Sequence, residues 1–253
     1  MILIDDGAHD PRANMERDRA RWTRLESGAD GAEAVMRLFR FRPFGITLGH
    51  AQSPEQELDL ARCRGDGVAW AVRPTGGRAI FHAEEWTYSI TARVDDPEWG
   101  GSAAESYRWI SGLLAGSLRI LGVETDFVRG RSALPPPRSA LGTAPPCFAS
   151  PARFELTRGG RKLVGSAQRR GARAFIQQGS VLLSEGHLRL TDYLRLPAAA
   201  RTRARAALEA AATHAGDVIP AAAPLGLWAD ALERAARGAV RRMRGAESAP
   251  LTA

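Results

Sequence analysis

The sequence predicts an α+β fold, a mixed or antiparallel sheet with flanking helices, and three observations predict it. Short β-like runs separated by Pro and Gly crowd residues 36–91, a second set between 153 and 177 reads as a meander, and Ala-rich amphipathic stretches close the chain. Strands and helices alternate without a regular βαβ period, which argues against a doubly wound parallel sheet.

The elements follow in order. Asp10-Pro11 is an N-cap followed by proline at the first helical position, and Met15, Trp22 and Leu25 fall on one face before Gly28 stops the helix. Arg37 to Arg42, Gly45 to Gly49, Val68 to Val72 and Trp86 to Thr91 read as strands, with one helix between them at Ser53 to Arg64. Ser102-Ala-Ala-Glu105 is a capping box, and Tyr107, Ile110, Leu114 and Leu121 recur at helical spacing before Gly122. A Pro-rich loop from Gly130 to Pro146 delivers the chain to Cys147. Arg153 to Thr157, Arg161 to Gln168 and Ala174 to Gln177 then form a meander turned at Gly159-Gly160 and Gly171. Amphipathic helices are expected at about 198–214 and 227–244. Residues 1–195 are expected to form a catalytic domain, and 196–253 a helical extension packed on it without independent stability.

Composition narrows the function. With 44% hydrophobic and 25% charged residues over 253 positions, the chain has the make-up of an ordinary globular protein. No apolar run approaches the roughly 18 residues of a membrane span, and the first residues lack the pattern of a signal peptide, so a cytoplasmic protein with no membrane partner is expected. Two cysteines outside any Cys-x-x-Cys or Cys/His cluster imply neither a disulfide framework nor a metal site, and a free thiol is available for chemistry. The formal charge of +7 asks for an acidic partner. The arginines are spread along the chain rather than gathered with aromatics, so an acidic protein fits the charge and nucleic acid is not expected.

One residue stands apart. Lys and Arg number 35 together, and Lys162 is the single lysine. An arginine stays protonated in a protein, whereas an ammonium is a compact point charge able to share a proton, so the exception marks a site where the guanidinium was not used. Three segments carry candidate chemistry. Arg73-Pro-Thr-Gly-Gly-Arg78 places Gly76 and Gly77 between two strands, a pattern that fits either a plain turn or a backbone cradle for an anion or carbonyl, with Arg73 and Arg78 to neutralise charge. His82 follows and fits a core histidine or a catalyst. Cys147, at the end of the Pro-rich loop, is placed for exposure, whereas Cys63 reads as a helix packing residue. Lys162, with Gly165, Ser166 and Ala167 after it, could hold a nearby thiol as thiolate and donate to the oxygen of a bound thioester.

Together and in this order, these segments resemble the lipoate and octanoate attachment family, which shares its fold with biotin protein ligases. The resemblance runs through Ile4-Asp-Asp-Gly7, Asn14-Met15, Ile46 to Gln52, Arg73 to His82, Thr87-Tyr-Ser89, Gly160 to Arg169 and Gln177 to Leu183. It departs from the family pattern at Val72-Arg73, where an arginine doublet is usual, and at Gln178, where histidine often precedes Gly-Ser. Two routes exist in that family: ligases activate a free acid with ATP, and octanoyltransferases pass an acyl group through an enzyme thioester. The stretch from Cys147 to Glu155 resembles the octanoyltransferase branch that serves the glycine cleavage H protein. The resemblance implies Cys147 as acyl-carrying nucleophile and Lys162 as the residue that lowers its pKa. It implies acyl and carbonyl contacts from Arg73, Gly76, Gly77, Arg78, His82, Gly165, Ser166, Ala167, Gly179 and Ser180. It further implies octanoyl-acyl carrier protein as donor and a lipoyl-domain protein as acceptor; exchange between thioesters needs no activation, so no cofactor is expected, and the chain is expected to be a monomer. An ATP-dependent lipoate ligase is the alternative within the fold, and an Arg-rich nucleic-acid binder the alternative outside it.

Overall fold

The computed structural model describes residues 1–29, 31, 33–127 and 155–247, with side chains to residue 238; the Pro-rich loop and Cys147 lie outside the described residues. Among the described residues ten strands form two mixed sheets. In the larger, β1 (Ile2–His9), β2 (Val35–Phe41), β6 (Glu85–Arg93), β10 (Ala174–Leu182), β9 (Arg161–Arg170), β8 (Leu156–Arg158) and β7 (Asp126–Phe127) lie side by side in that order. Only the β1–β2 pair is parallel. The smaller sheet sets β3 (Gly45–Leu48) between β4 (Ala69–Val72), parallel to it, and β5 (Ile80–His82), antiparallel.

The helices follow their end signals. In α1 (Pro11–Ser27) the Asp10 carboxylate accepts from the amides of Arg12 and Ala13 at 2.8 and 3.1 Å, and Gly28 closes the helix at φ 79°. In α4 (Ala103–Ile120) the capping box is complete, Ser102 and Glu105 each accepting the other's backbone amide.

The helix expected over 53–64 is instead two, α2 (Pro54–Glu57) and α3 (Leu60–Gly65). Leu58 is extended and bridges to Leu194, while Asp59 donates its amide to the carbonyl of Tyr193 at 2.8 Å. A long-range pairing wins over local periodicity, and the Asp59 side chain then caps the second helix through the Arg62 amide at 3.0 Å. Strand β1 was not expected either. It pairs on one edge only, and Ile2 and Ile4 stay about two-fifths exposed, so no apolar alternation announces it.

The main core lies between the large sheet and α4 with α7 (Leu225–Glu247). Trp228 of α7 stacks on Trp86 with ring centroids 5.3 Å apart, and its indole N–H donates to Ser117 at 3.1 Å. The last helix, α7, therefore shares one core with the strands. A further tie fixes β9, where the carbonyl of Lys162 accepts the amide of Thr213, just beyond α6 (Ala198–Ala211), at 2.9 Å. A second core, around Ile46, Leu48, Phe81 and Tyr193, packs the small sheet on α5 (Leu190–Tyr193) and α3. No helix among the described residues is long and apolar enough to cross a membrane.

Candidate active site

A slot opens where the two sheets face each other. Its floor is Gly165, Ser166 and Ala167 of β9 with Gln178, Gly179 and Ser180 of β10, and Met15, Phe41, Thr47, Arg73, Ile80, His82 and Thr87 complete the lining. It encloses about 370 Å³ of empty space, solvent at its mouth included. Seven of the residues singled out from the sequence, Arg73, His82, Gly165, Ser166, Ala167, Gly179 and Ser180, thus meet in one place.

Strand register explains the floor. Gly179 lies opposite Ser166 and Ser180 opposite Gly165 in the β9–β10 pair. A Cβ on Gly179 would come within 2.5 Å of the Tyr88 ring, 2.6 Å of Ser166 Oγ and 2.8 Å of the Gly165 carbonyl, so only glycine fits at this point of the floor. Below it, Tyr88 Oη lies 2.8 Å from Ser166 Oγ and accepts from Gln177 at 2.8 Å. Burial pushes the Tyr88 phenol up to about 12, so it remains a neutral donor under the slot.

The glycine loop sits beside the slot and is itself clamped. Gly77 has φ 88°, which an L side chain rarely adopts, and its carbonyl lies where a Cβ on Gly49 would be, at 2.0 Å. The Arg73 guanidinium donates to the carbonyls of Gly76 at 2.8 Å, Arg78 at 2.7 Å and Thr47 at 3.2 Å. Arg73 thus fixes the loop's shape besides lining the slot, while Arg78 is half-buried at the loop's end. From the other side, Thr75 donates to Gln178 Oε1 at 2.7 Å, and Gln178 Nε2 donates to Asp18 at 2.5 Å. Asp18 also accepts from Ser89 at 2.6 Å and pairs with Arg37. Burial raises its carboxyl above the usual range in spite of the Arg37 charge. Gln178 therefore registers the loop against β10.

His82 is fixed at both ring nitrogens. Nδ1 lies 2.5 Å from Glu85 Oε1 and Nε2 lies 2.6 Å from Thr47 Oγ1, and an ionised carboxylate only accepts, which puts the ring proton on Nδ1. Glu85 accepts further hydrogen bonds from Ser180 at 2.7 Å and Thr87 at 3.0 Å. The ring stacks on Phe41 with centroids 3.8 Å apart.

Lys162, near the start of β9, is buried, 2% exposed, and is not among the residues that line the slot. Its ammonium lies 2.7 Å from Glu155 Oε1, and the same oxygen accepts the Ser166 amide at 3.4 Å. The one lysine is thereby tied through Glu155 to the β9 edge of the slot. Glu155, Glu85 and Thr47 were not singled out from the sequence. Signals existed for two of them: Glu85 stands three residues after His82, and Glu155 ends the cysteine stretch. Cys63 packs in α3 at 2% exposure, and burial pushes its thiol up.

A mixed sheet carries a glycine-floored slot with a clamped Gly-Gly loop at its side, and the strand that supplies part of the floor also carries the buried lysine, an arrangement whose fold is that of lipoate-protein ligases. The bipartite lipoate protein ligase of Thermoplasma acidophilum superposes with a TM-score of 0.69 over 92% of this chain and 82% of its own, at 18% identity, a likeness of fold. Residues 10–234 match the lipoyl protein ligase A/B catalytic domain, and the chain belongs to that family. The octanoyltransferase LipM of Moorella thermoacetica is 38% identical over 78% of this chain and 70% of its own length, and that of Kyrpidia tusciae 36% identical over 77% and 70%.

Proposed function

We propose that this acyltransferase, an octanoyltransferase of lipoate biosynthesis, takes its octanoyl group from octanoyl-acyl carrier protein onto Cys147 and passes it to a lysine of a lipoyl-domain protein, with the glycine cleavage H protein as first candidate. The Cys147 thiolate attacks the incoming thioester carbonyl, and the carrier thiol leaves with a proton. The acceptor lysine, as free amine, then attacks the enzyme thioester, an amide forms, and Cys147 is released. Exchange between thioesters is nearly isoenergetic and amide formation from a thioester runs downhill, so no nucleotide is needed.

The observation that carries this reading is Lys162, the one lysine of the chain, buried and joined through Glu155 to Ser166 at the edge of an apolar slot. Its ammonium supplies a compact positive charge where a thiolate and an acyl oxyanion need one. Arg73, Gly76, Gly77 and Arg78 shape the wall beside the slot, and Gly165 to Ala167 with Gly179 and Ser180 form its floor. The test is to incubate the pure protein with octanoyl-acyl carrier protein and no ATP, and to look by intact mass for an added octanoyl group. A strict requirement for ATP and free octanoate or lipoate moves the chain to the ligase route.

The charge of +7 predicts how the partners arrive. Carrier proteins and lipoyl domains are generally acidic, and steering acts on association more than on chemistry. Raising ionic strength from about 0.05 to about 0.5 M shortens the Debye length from about 14 to about 4 Å and is expected to raise the apparent KM for carrier protein, with kcat little changed. A KM indifferent to salt assigns the basic surface to something else.

A further inference from the structure

We infer that Gln178 is a positioning residue, its side-chain amide fixing how far the Gly-Gly loop stands from the slot floor and so how closely the slot holds an acyl group; this rests on the slot being the acyl site. The loop, residues 73–78, lies between β4 and β5 and belongs to the small sheet, whereas the floor belongs to β9 and β10 of the large one. Bonds made within the small sheet therefore shape the loop without setting the width of the slot. The Arg73 bonds to Gly76, Arg78 and Thr47 are of that kind, and so is the bond from the His50 amide to the Thr75 carbonyl at 3.0 Å.

The bond between Thr75 and Gln178 crosses from one sheet to the other. Thr75 Oγ1 donates to Gln178 Oε1 at 2.7 Å, and the two residues are 0% and 6% exposed, so water does not compete for the bond. Arg169 crosses as well, donating to the Pro74 carbonyl at 3.1 Å, but from a long, half-buried side chain that yields more easily. The width of the slot is thus set mainly at Gln178, which itself lines it.

The other end of the amide is anchored. Gln178 Nε2 donates to Asp18 Oδ2 at 2.5 Å and lies 3.4 Å from the sulfur of Met15, which also lines the slot. Asp18 is held in turn by Ser89 of β6 at 2.6 Å and by Arg37 of β2, whose guanidinium also reaches Asn14 of α1. Paired with Arg37, the Asp18 carboxylate only accepts, so it turns the NH2 end of the amide toward itself and leaves Oε1 for the Thr75 hydroxyl. The amide has one orientation, and its length sets the distance from Asp18 to Thr75. Strand pairing keeps anchor and floor in one register, because Gln178 lies opposite Ser89 on one side and Ala167 on the other. Released from Gln178, the loop keeps its own shape and stands further off.

The test follows formation of the octanoyl adduct by intact mass over time at a series of octanoyl-acyl carrier protein concentrations, which separates the half-saturating concentration from the limiting rate. Thr75→Val keeps the shape of the side chain and removes the donor, and is expected to raise the half-saturating concentration about fivefold, the worth of one buried hydrogen bond, with the limiting rate much less changed. Loss of folded protein would do the reverse, lowering the limiting rate at an unchanged half-saturating concentration. Thr75→Ser keeps the hydroxyl and should recover most of the affinity. Gln178→Met removes both bonds of the amide at similar volume, and Thr75→Val added to it should have little further effect, because the two residues act as one unit. A half-saturating concentration unmoved in folded Thr75→Val, or an effect that adds in full to that of Gln178→Met, overturns the positioning role and leaves the acyl-enzyme reading standing. No adduct in the wild type overturns the acyl-enzyme reading itself, and the positioning role with it.

Discussion

Cys147→Ala is expected to abolish both the octanoyl adduct and transfer to the acceptor, a loss on the order of 10⁴ or more, because the thioester has no other place to form. The chain has two cysteines, and the second cannot substitute. Cys63 faces the small-sheet core between Leu58 and Val68, and burial, with the Asp59 charge adding in the same direction, holds its thiol in the protonated, poorly nucleophilic form. Cys63→Ala should leave the adduct and the rate nearly intact, at a cost of about 1 kcal/mol of stability from the lost packing. Intact mass after incubation with octanoyl-acyl carrier protein and steady-state transfer rates for both variants decide the matter. Near wild-type transfer by Cys147→Ala removes the thioester mechanism and reopens the ATP-dependent route.

The residues legible in the sequence are those whose chemistry is local. Asp10, Gly28, Ser102 and Glu105 act within one turn of their own position, and the structure uses each as the pattern implies. The Gly-Gly loop, the Gly165 to Ala167 floor and His82 could be named because the segments that carry them, taken together and in order, resemble a known family, although each alone fits a plain turn or a core residue. What remained hidden depends on partners distant in the chain. Glu155 acquires meaning only when β8 and β9 bring it to Lys162, and Thr47 only when the small sheet sets β3 beside β5. Gln178 looked like a departure from a family pattern. In the folded chain it links Thr75 to the buried Asp18, 103 and 160 residues away in sequence. The split of the 53–64 helix has the same origin, a pairing with Leu194 that no local window contains.

Lys162→Arg keeps the charge and still is expected to lower activity by on the order of 10² or more, comparable to losing one oxyanion donor. The site is tight. Lys162 is 2% exposed, on a strand whose backbone is held by Thr157 across the β8 pairing and by Thr213, and its ammonium meets Glu155 at 2.7 Å. A guanidinium is wider and planar, and pairs bidentately with a carboxylate. In Lys162→Arg it would be drawn onto Glu155 and away from the point where a thiolate and an acyl oxygen need a single compact donor. Lys162→Ala is the harsher change, because it removes the buried ammonium that faces the Glu155 carboxylate at 2.7 Å, and breaking such a pair costs about 3–5 kcal/mol. Its kinetics are therefore read together with its melting temperature. The mechanism itself is read from the thiol. Iodoacetamide alkylation of Cys147 against pH in wild type, Lys162→Arg and Lys162→Ala should show the curve displaced to higher pH in both variants, since a nearby cation favours the thiolate and neither variant supplies the ammonium at that point. Superimposable curves together with an active Lys162→Arg enzyme would make the single lysine of this chain an accident of composition.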